Sequence, residues 1–257
     1  MRPSEATSAI GPLTTSDPSH DLLLSSGFLA FARHAGVLQA VEEADLAVDA
    51  VVGTSSGALT GALWCAGIPA TEIVTLIAET RPWDLVGLHL RPWRGLLSLE
   101  PLLAWLRPRL PPRIEDLPRP LALGVSARVD GIVRPFLLRE GLLAEGVVAS
   151  CAIPGLFVSP LEGPHGAWRD GGAADRVMHA PWAAWRGERS ALVHAVERSA
   201  GRDVPLPEGV PVVRTPRSGA SLWSLGDVRL QAEEARRLTH AYLAMKASMK
   251  HVSLGTA

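Results

Sequence analysis

Val48-Asp49-Ala50-Val51-Val52-Gly53-Thr54-Ser55-Ser56-Gly57, followed at once by Ala58-Leu59-Thr60-Gly61-Ala62-Leu63-Trp64, is the stretch whose reading decides the fold. A β-branched run ends in G-x-S-x-G and a helical pattern opens directly behind it, which predicts strand, sharp turn and helix. At such a turn the central residue takes a strained backbone conformation and stands clear of the fold. Gly53 and Gly57 carry no side chain to collide with the strand, the helix or a substrate. Ser55 is left at a helix N-terminus, where free N–H groups favour a developing negative charge. Leu59, Ala62, Leu63 and Ala66 share one helical face, and Gly61 permits close packing on a sheet. The pentapeptide alone would suit an ordinary Gly/Ser turn equally well. Its strand–turn–helix setting makes Ser55 a candidate nucleophile.

The chain has 257 residues, enough for one large α/β domain, read here as residues 21–257 behind a disordered leader at 1–20. Its net charge of −1 offers no electrostatic footprint for nucleic acid. Cys65 and Cys151, the only cysteines, fall inside apolar elements and suit free thiols in a reducing, cytoplasmic setting. No metal-ligand spacing occurs among the histidines and cysteines, and no apolar run reaches the ~18 residues of a membrane span. Glu5 and the lack of an apolar stretch before Asp21 do not fit a secretory signal.

Asp21-Leu22-Leu23-Leu24 reads as a short buried strand, then Ser25-Ser26-Gly27-Phe28 as a loop, then a helix with Phe31, Ala35, Leu38 and Val41 on one face. With 48–54 and 56–67 this makes β-α-β-α, hence a mostly parallel sheet covered by helices on both sides. Ligands of such sheets bind at the carboxyl ends of strands, which places the 25–28 loop beside Ser55. The Gly27 and Phe28 backbone N–H groups are therefore the candidate oxyanion donors.

Residues 69–119 change character. Arg81-Pro82-Trp83, Arg91-Pro92-Trp93-Arg94 and a leucine-rich run to Leu110 suggest a cap or lid segment that could meet lipid at its surface. Helices packed on the core explain the same pattern more simply, and Glu100-Pro101 opens one. Strands return at 120–138, turning at the hairpin signal Asp130-Gly131. A helix at 141–151 leads into a strand at 156–161, a turn at Gly163-Pro164-His165-Gly166, and a return strand ending at Asp170-Gly171-Gly172. Two glycines there let a backbone or substrate approach Asp170 closely. Residues 191–197 and 210–214 read as strands joined through a Pro/Gly-rich link. Ser218-Gly219-Ala220-Ser221 reads as a loop without an assigned place. Residues 227–250 read as a closing helix with an apolar stripe of Val228, Leu230, Ala235, Leu238, Tyr242 and Met245.

Taken together, Leu22 to Asp175 resembles the patatin-like phospholipase family. Gly53-Thr54-Ser55-Ser56-Gly57 matches its G-x-S-x-G elbow, and Asp170-Gly171-Gly172 its D-G-G/A motif. Ala149-Ser150-Cys151-Ala152-Ile153-Pro154-Gly155-Leu156-Phe157 is similar to its A-S-x-A-I-P-G-x-F stretch. The resemblance implies a three-layer α/β/α sandwich and a Ser–Asp dyad without histidine. It implies hydrolysis of lipid carboxylic esters through an acyl-enzyme, with Ser55 as nucleophile, Asp170 as general base and no cofactor. It also implies a lipid or other acyl-ester partner, while peripheral contact with membranes is the expectation raised by the Trp-, Arg- and Leu-rich segment at 69–119.

One motif departs from the family. Where members carry G-G-G-x-R-G, this chain has Ser25-Ser26-Gly27-Phe28-Leu29-Ala30-Phe31, so the arginine position is Ala30. Backbone donors survive that change, but the guanidinium fork that binds phosphate is absent from the loop. Arg33, one helical turn on, is the candidate substitute, while Phe28 and Phe31 predict an apolar, narrower mouth. Two other readings remain open at this point. One is an α/β-hydrolase esterase whose triad histidine is His179, His194 or His240. The other is a non-catalytic member of the same fold that binds a lipid or a protein.

Overall fold

The computed structural model describes residues 19–89, 96–187, 189–198 and 205–254; most of the expected leader and the Arg91–Arg94 run lie outside them. The first half contains β1 (His20–Leu24), α1 (Phe31–Glu43), β2 (Val48–Thr54), α2 (Ser56–Cys65), α3 (Ala70–Ala78), β3 (Gly87–Leu88), β4 (Leu97–Ser98) and α4 (Glu100–Leu106). Then come β5 (Leu121–Val129), β6 (Ile132–Leu138), α5 (Leu143–Cys151), β7 (Phe157–Val158), β8 (Glu162–Gly163), β9 (Gly166–Ala167) and β10 (Arg169–Asp170). Last are α6 (His179–Arg186), β11 (Ala191–Val196), β12 (Val212–Thr215) and α7 (Val228–Leu254).

The central sheet runs β10-β5-β2-β1-β11-β12, with β6 on the other edge of β5. The pairs β12/β11, β11/β1, β1/β2 and β2/β5 are parallel, whereas β6 and β10 join β5 antiparallel. Alternating residues of β1 face opposite cores. Leu22 and Leu24 pack with α1, α2, α3, α5 and α7, while Leu23 packs with Val52, Met178 and Trp182 under α6. A strand apolar on both faces needs a helical layer on each side, so the sandwich follows from the β1 and β2 sequences. The two layers are unequal: most helices lie on one face.

Asp130 and Gly131 connect β5 and β6 at φ 49° and 79°, the left-handed pair a type I′ hairpin requires. Several expected elements differ. Instead of a strand at 156–161 there is only Phe157–Val158, and it joins β4 of a small separate sheet. Pro160, which has no N–H for a ladder, follows closely. The return strand is two residues long, and His20, expected in the leader, opens β1. The α7 stripe is also different. Val228, Gln231, Ala232, Ala235 and Thr239 face inward, and Leu230, Leu238 and Met245 face solvent. The reason is the partner helix: a Cβ at Gly36 of α1 would lie 2.0 Å from the Ala232 carbonyl oxygen, so the two backbones meet there and Ala232, not a long apolar side chain, faces α1. Gln231 and Thr239 are buried there, with Gln231 Nε2 donating to the Leu225 carbonyl and Thr239 Oγ1 to that of Ala235.

Candidate active site

Ser55 stands between the end of β2 and the start of α2 with φ 54° and ψ −115°, a conformation an L-residue holds only when its surroundings enforce it. Those surroundings are specific. A Cβ on Gly57 would lie 2.3 Å from the Leu24 carbonyl oxygen, and one on Gly53 would lie 2.5 Å from that of Gly57. The glycines thus let α2 leave the sheet at once. The Ser55 N–H donates to Ser150 Oγ at 2.9 Å, and that hydroxyl donates to the Gly124 carbonyl at 2.6 Å. Ser150, fully buried on α5, ties the elbow to β5. From sequence Ser150 is only one residue of a familiar stretch, and nothing there signals this tie.

Asp170 reaches Ser55 through β5. Thr54 of β2 pairs with Gly124, and one residue on, Val125 pairs with Asp170. Because β6 occupies the other edge of β5 along Leu123–Val129, β10 continues the line of β2 just beyond its carboxyl end. The Asp170 carboxyl accepts the Gly172 N–H at 2.7 Å, and the nearby Ser55 hydroxyl favours its ionised form. Burial pushes the Asp170 pKa up to about 6, against the opposing pull of the Ser55 hydroxyl, the Gly172 N–H and the Arg176 charge. Gly171 and Gly172 allow the approach: a Cβ on Gly171 would lie 2.5 Å from the Gly124 carbonyl oxygen, and one on Gly172 2.4 Å from Ser26 Oγ.

Ser55 and Asp170 line a cavity of about 740 Å³ together with Ser26, Gly27, Phe28, Gly172 and Arg176. Such a volume falls within the roughly 300–1,000 Å³ of small-ligand sites. Its far walls are apolar: Leu59 of α2, Ile77 of α3, Leu85, Val86, Leu99, Leu102 and Trp105 around α4, and Ile153 after α5. The described part of 69–119 is therefore a cavity wall. The 218–221 loop, unplaced from sequence, forms part of the lining, and Ser218 Oγ donates to the Phe28 carbonyl. Among the described residues, neither the Gly27 nor the Phe28 N–H donates to a backbone acceptor.

Arg33 does not take the place of the missing loop arginine. It points to α7, where it pairs with Glu234 and donates to the Gln231 carbonyl. The guanidinium that does reach the loop is Arg176, six residues beyond Asp170, which donates to Ser26 and Val196. The histidines named for a triad lie elsewhere. His240 bonds Glu43 between α7 and α1, and His179 packs on Trp182. His194 sits in a buried series, Ser56 Oγ to His34 Nε2 at 3.2 Å, His34 Nδ1 to His194 Nδ1 at 2.8 Å, and His194 Nε2 to Thr215 Oγ1 at 2.9 Å. Burial holds both rings neutral, pulling His34 down to about 3 and His194 well below its usual value. This pair braces the residue after the candidate nucleophile, and no histidine among the described residues lines the cavity.

The family model for patatin-like phospholipase matches residues 22–180. Neuropathy target esterase sws of Drosophila melanogaster is 44% identical over 63 residues, 24% of this chain and 4% of that protein. Its Drosophila persimilis counterpart is 42% identical over the same length, again 4% of the whole. Among solved structures, VipD from Legionella pneumophila aligns with a TM-score of 0.57 at 15% identity, covering 89% of this chain and 67% of VipD. ExoU, of the Pseudomonas aeruginosa type III secretion system, aligns with a TM-score of 0.53 at 17% identity, covering 89% and 53%. At these identities the structural likeness is one of fold.

Proposed function

This chain belongs to the patatin-like phospholipase family, and we propose that it hydrolyses lipid carboxylic esters through a Ser55–Asp170 dyad, as a phospholipase A, lysophospholipase or general lipid acyl hydrolase. The observation that carries this reading is that Ser55, at a strained strand-to-helix turn, and the buried Asp170 carboxyl line one largely apolar cavity. Ser55 Oγ attacks the ester carbonyl while Asp170 takes its proton. The Gly27 and Phe28 N–H groups hold the oxyanion, and the alcohol leaves with the proton that Asp170 returns to it. Asp170 then takes a proton from the water that attacks the acyl-enzyme, handing it back to Ser55 as the acid is released. A carboxyl with a pKa of about 6 is ionised at neutral pH and yet a stronger base than a solvated aspartate. The acyl chain lies along the wall formed by Leu85, Leu99, Leu102 and Ile153.

Exposed aromatics, Phe28 of the cavity lining and Trp83 and Trp223 next in sequence to its residues Pro82 and Leu222, support peripheral contact with a lipid surface. Phe28 is 48%, Trp83 42% and Trp223 72% exposed, and the two indoles stack with centroids 4.8 Å apart. Tryptophan favours the boundary between hydrocarbon and water. No helix of the described residues is long and apolar enough to cross a membrane. The same reading places the protein in the cytoplasm, where Cys65 and Cys151 stay reduced.

Intact mass after exposure to a fluorophosphonate, an acyl-ester mimic, tests the dyad. One adduct on the wild type, lost in Ser55→Ala and Asp170→Asn, is expected. A folded wild type that takes no adduct would sink the hydrolase reading in favour of a lipid- or protein-binding one.

A further inference from the structure

The loop before α1 has no arginine of its own, yet a buried guanidinium fastens it. Arg176, 8% exposed, donates from Nη2 to the carbonyls of Ser26 at 2.6 Å and Val196 at 2.7 Å, and from Nε to Ser26 Oγ at 3.2 Å. The bond is returned, since the Ser26 N–H donates to the Arg176 carbonyl at 2.8 Å. One residue earlier, the Ser25 N–H donates to the His194 carbonyl, and Ser25 Oγ accepts the Val196 N–H at 3.0 Å. The residues leading into Gly27 and Phe28 are thus held from β11 and from the segment after Asp170, while Gly27 and Phe28 keep their N–H groups for the cavity. The planar fork grips Ser26 twice, Nε on its hydroxyl and Nη2 on its carbonyl, while Nη2 also holds the Val196 carbonyl, a fixed geometry that a flexible ammonium does not reproduce.

We propose that Arg176 is a positioning residue for this reaction: its fork clamps Ser26 to Val196 and so sets where the Gly27 and Phe28 N–H groups stand relative to Ser55. The inference rests on the acyl-hydrolase reading and adds to it the residue that shapes the oxyanion site. Arg176 acts on the site a second way. Its charge favours the ionised form of Asp170, whose other neighbours are the Ser55 hydroxyl, the Gly172 N–H and the Cys151 thiol of α5. The residue therefore links both halves of the chemistry, the donors for the oxyanion and the base.

Three variants separate these roles: Arg176→Lys, which keeps the charge and loses the fork; Arg176→Gln, which loses both; and Ser26→Ala, which removes one acceptor. Each is assayed by fluorophosphonate labelling rate, by kcat and KM on a soluble ester, and by pH profile. Arg176→Lys is expected to lose on the order of a hundredfold in kcat and labelling rate, the usual penalty for a displacement of about 1 Å, with KM held and the acid limb in place. Arg176→Gln is expected to lose as much and to carry its acid limb to higher pH. Ser26→Ala is expected to show a smaller fall in kcat alone. Arg176→Lys labelled at the wild-type rate would overturn the proposal, and so would a folded Arg176→Gln whose acid limb stays put. If Arg176→Gln does not fold, the Lys and Ser26 variants decide. A wild type that takes no label sinks the hydrolase reading itself, a result distinct from wild-type labelling in the variants.

Discussion

The elbow and the loop from Ser26 to Phe28 line one cavity, and they are built by opposite means. The elbow is local: five consecutive residues, Gly53 to Gly57, impose the turn, and a positive φ at Ser55 is enforced by a helix that begins on the next residue. The loop side is assembled. Ser26 from one loop, Arg176 from a second, Val196 from the end of β11 and Ser218 from a further loop meet around Gly27 and Phe28. A local device fails when one of its own residues changes, whereas an assembled one fails when any of several distant contacts is lost.

The largest effect that tests this contrast is on the elbow itself. Ser55→Ala should reduce ester hydrolysis roughly 10⁴- to 10⁶-fold with the fold intact, read by turnover and circular dichroism. Residual turnover near the wild-type rate would place the nucleophile elsewhere.

Asp170→Asn should reduce turnover roughly 10²- to 10⁴-fold and also change stability in a pH-dependent way. Asp170 holds its proton up to about pH 6 when folded, against an ordinary value of 3.8. Its contribution to stability is therefore full below pH ~4 and is lost as pH rises through 6, on the order of 3 kcal/mol. The asparagine of the variant cannot ionise, so thermal melts should show it more stable than the wild type at pH 8 and close to it at pH 4. The wild-type acid limb of kcat/KM should fall near pH 6, because the base must be ionised. An acid limb near 4 would mean that Asp170 is solvated during turnover.

Ser150→Ala leaves the Ser55 N–H and the Gly124 carbonyl without the hydroxyl that joins them. A loss of about 1–3 kcal/mol in denaturant melts is expected, together with a lower labelling rate, since the elbow loses its tie to β5. Unchanged labelling would show that the five local residues hold Ser55 unaided. The smallest effect belongs to the rim. Trp223→Ala should shift the melt little, about 0.5–1.5 kcal/mol for the stacked pair, and lower co-sedimentation with phospholipid vesicles several-fold. Wild-type co-sedimentation in that variant would remove Trp223 from the lipid-facing surface.

What could be read from the chain follows the same division. The elements β1, α1, β2 and α2, the Asp130-Gly131 hairpin and the buried His194 all rest on contacts within a few residues or on apolar periodicity, and they stand where expected. The inward face of α7 escapes periodicity, which counts apolar residues, while Gly36 of α1 selects small ones. Arg33 is the nearest guanidinium in sequence but lies on the α1 face that meets α7; Arg176 is 150 residues from Ser26 and is its partner in space.

By itself the sequence determined the strand–turn–helix around Ser55 and the parallel sheet with two apolar faces, because both depend on steric and hydrophobic rules acting over short spans. The tertiary structure alone decided that β5 aligns Asp170 with the end of β2, that Arg176 and not Arg33 fastens the loop before α1, and that residues 77–86 and 99–105 contribute to a cavity wall. Those outcomes depend on strand register and on which distant polar groups share a desolvated space. Neither leaves a periodic mark on the chain.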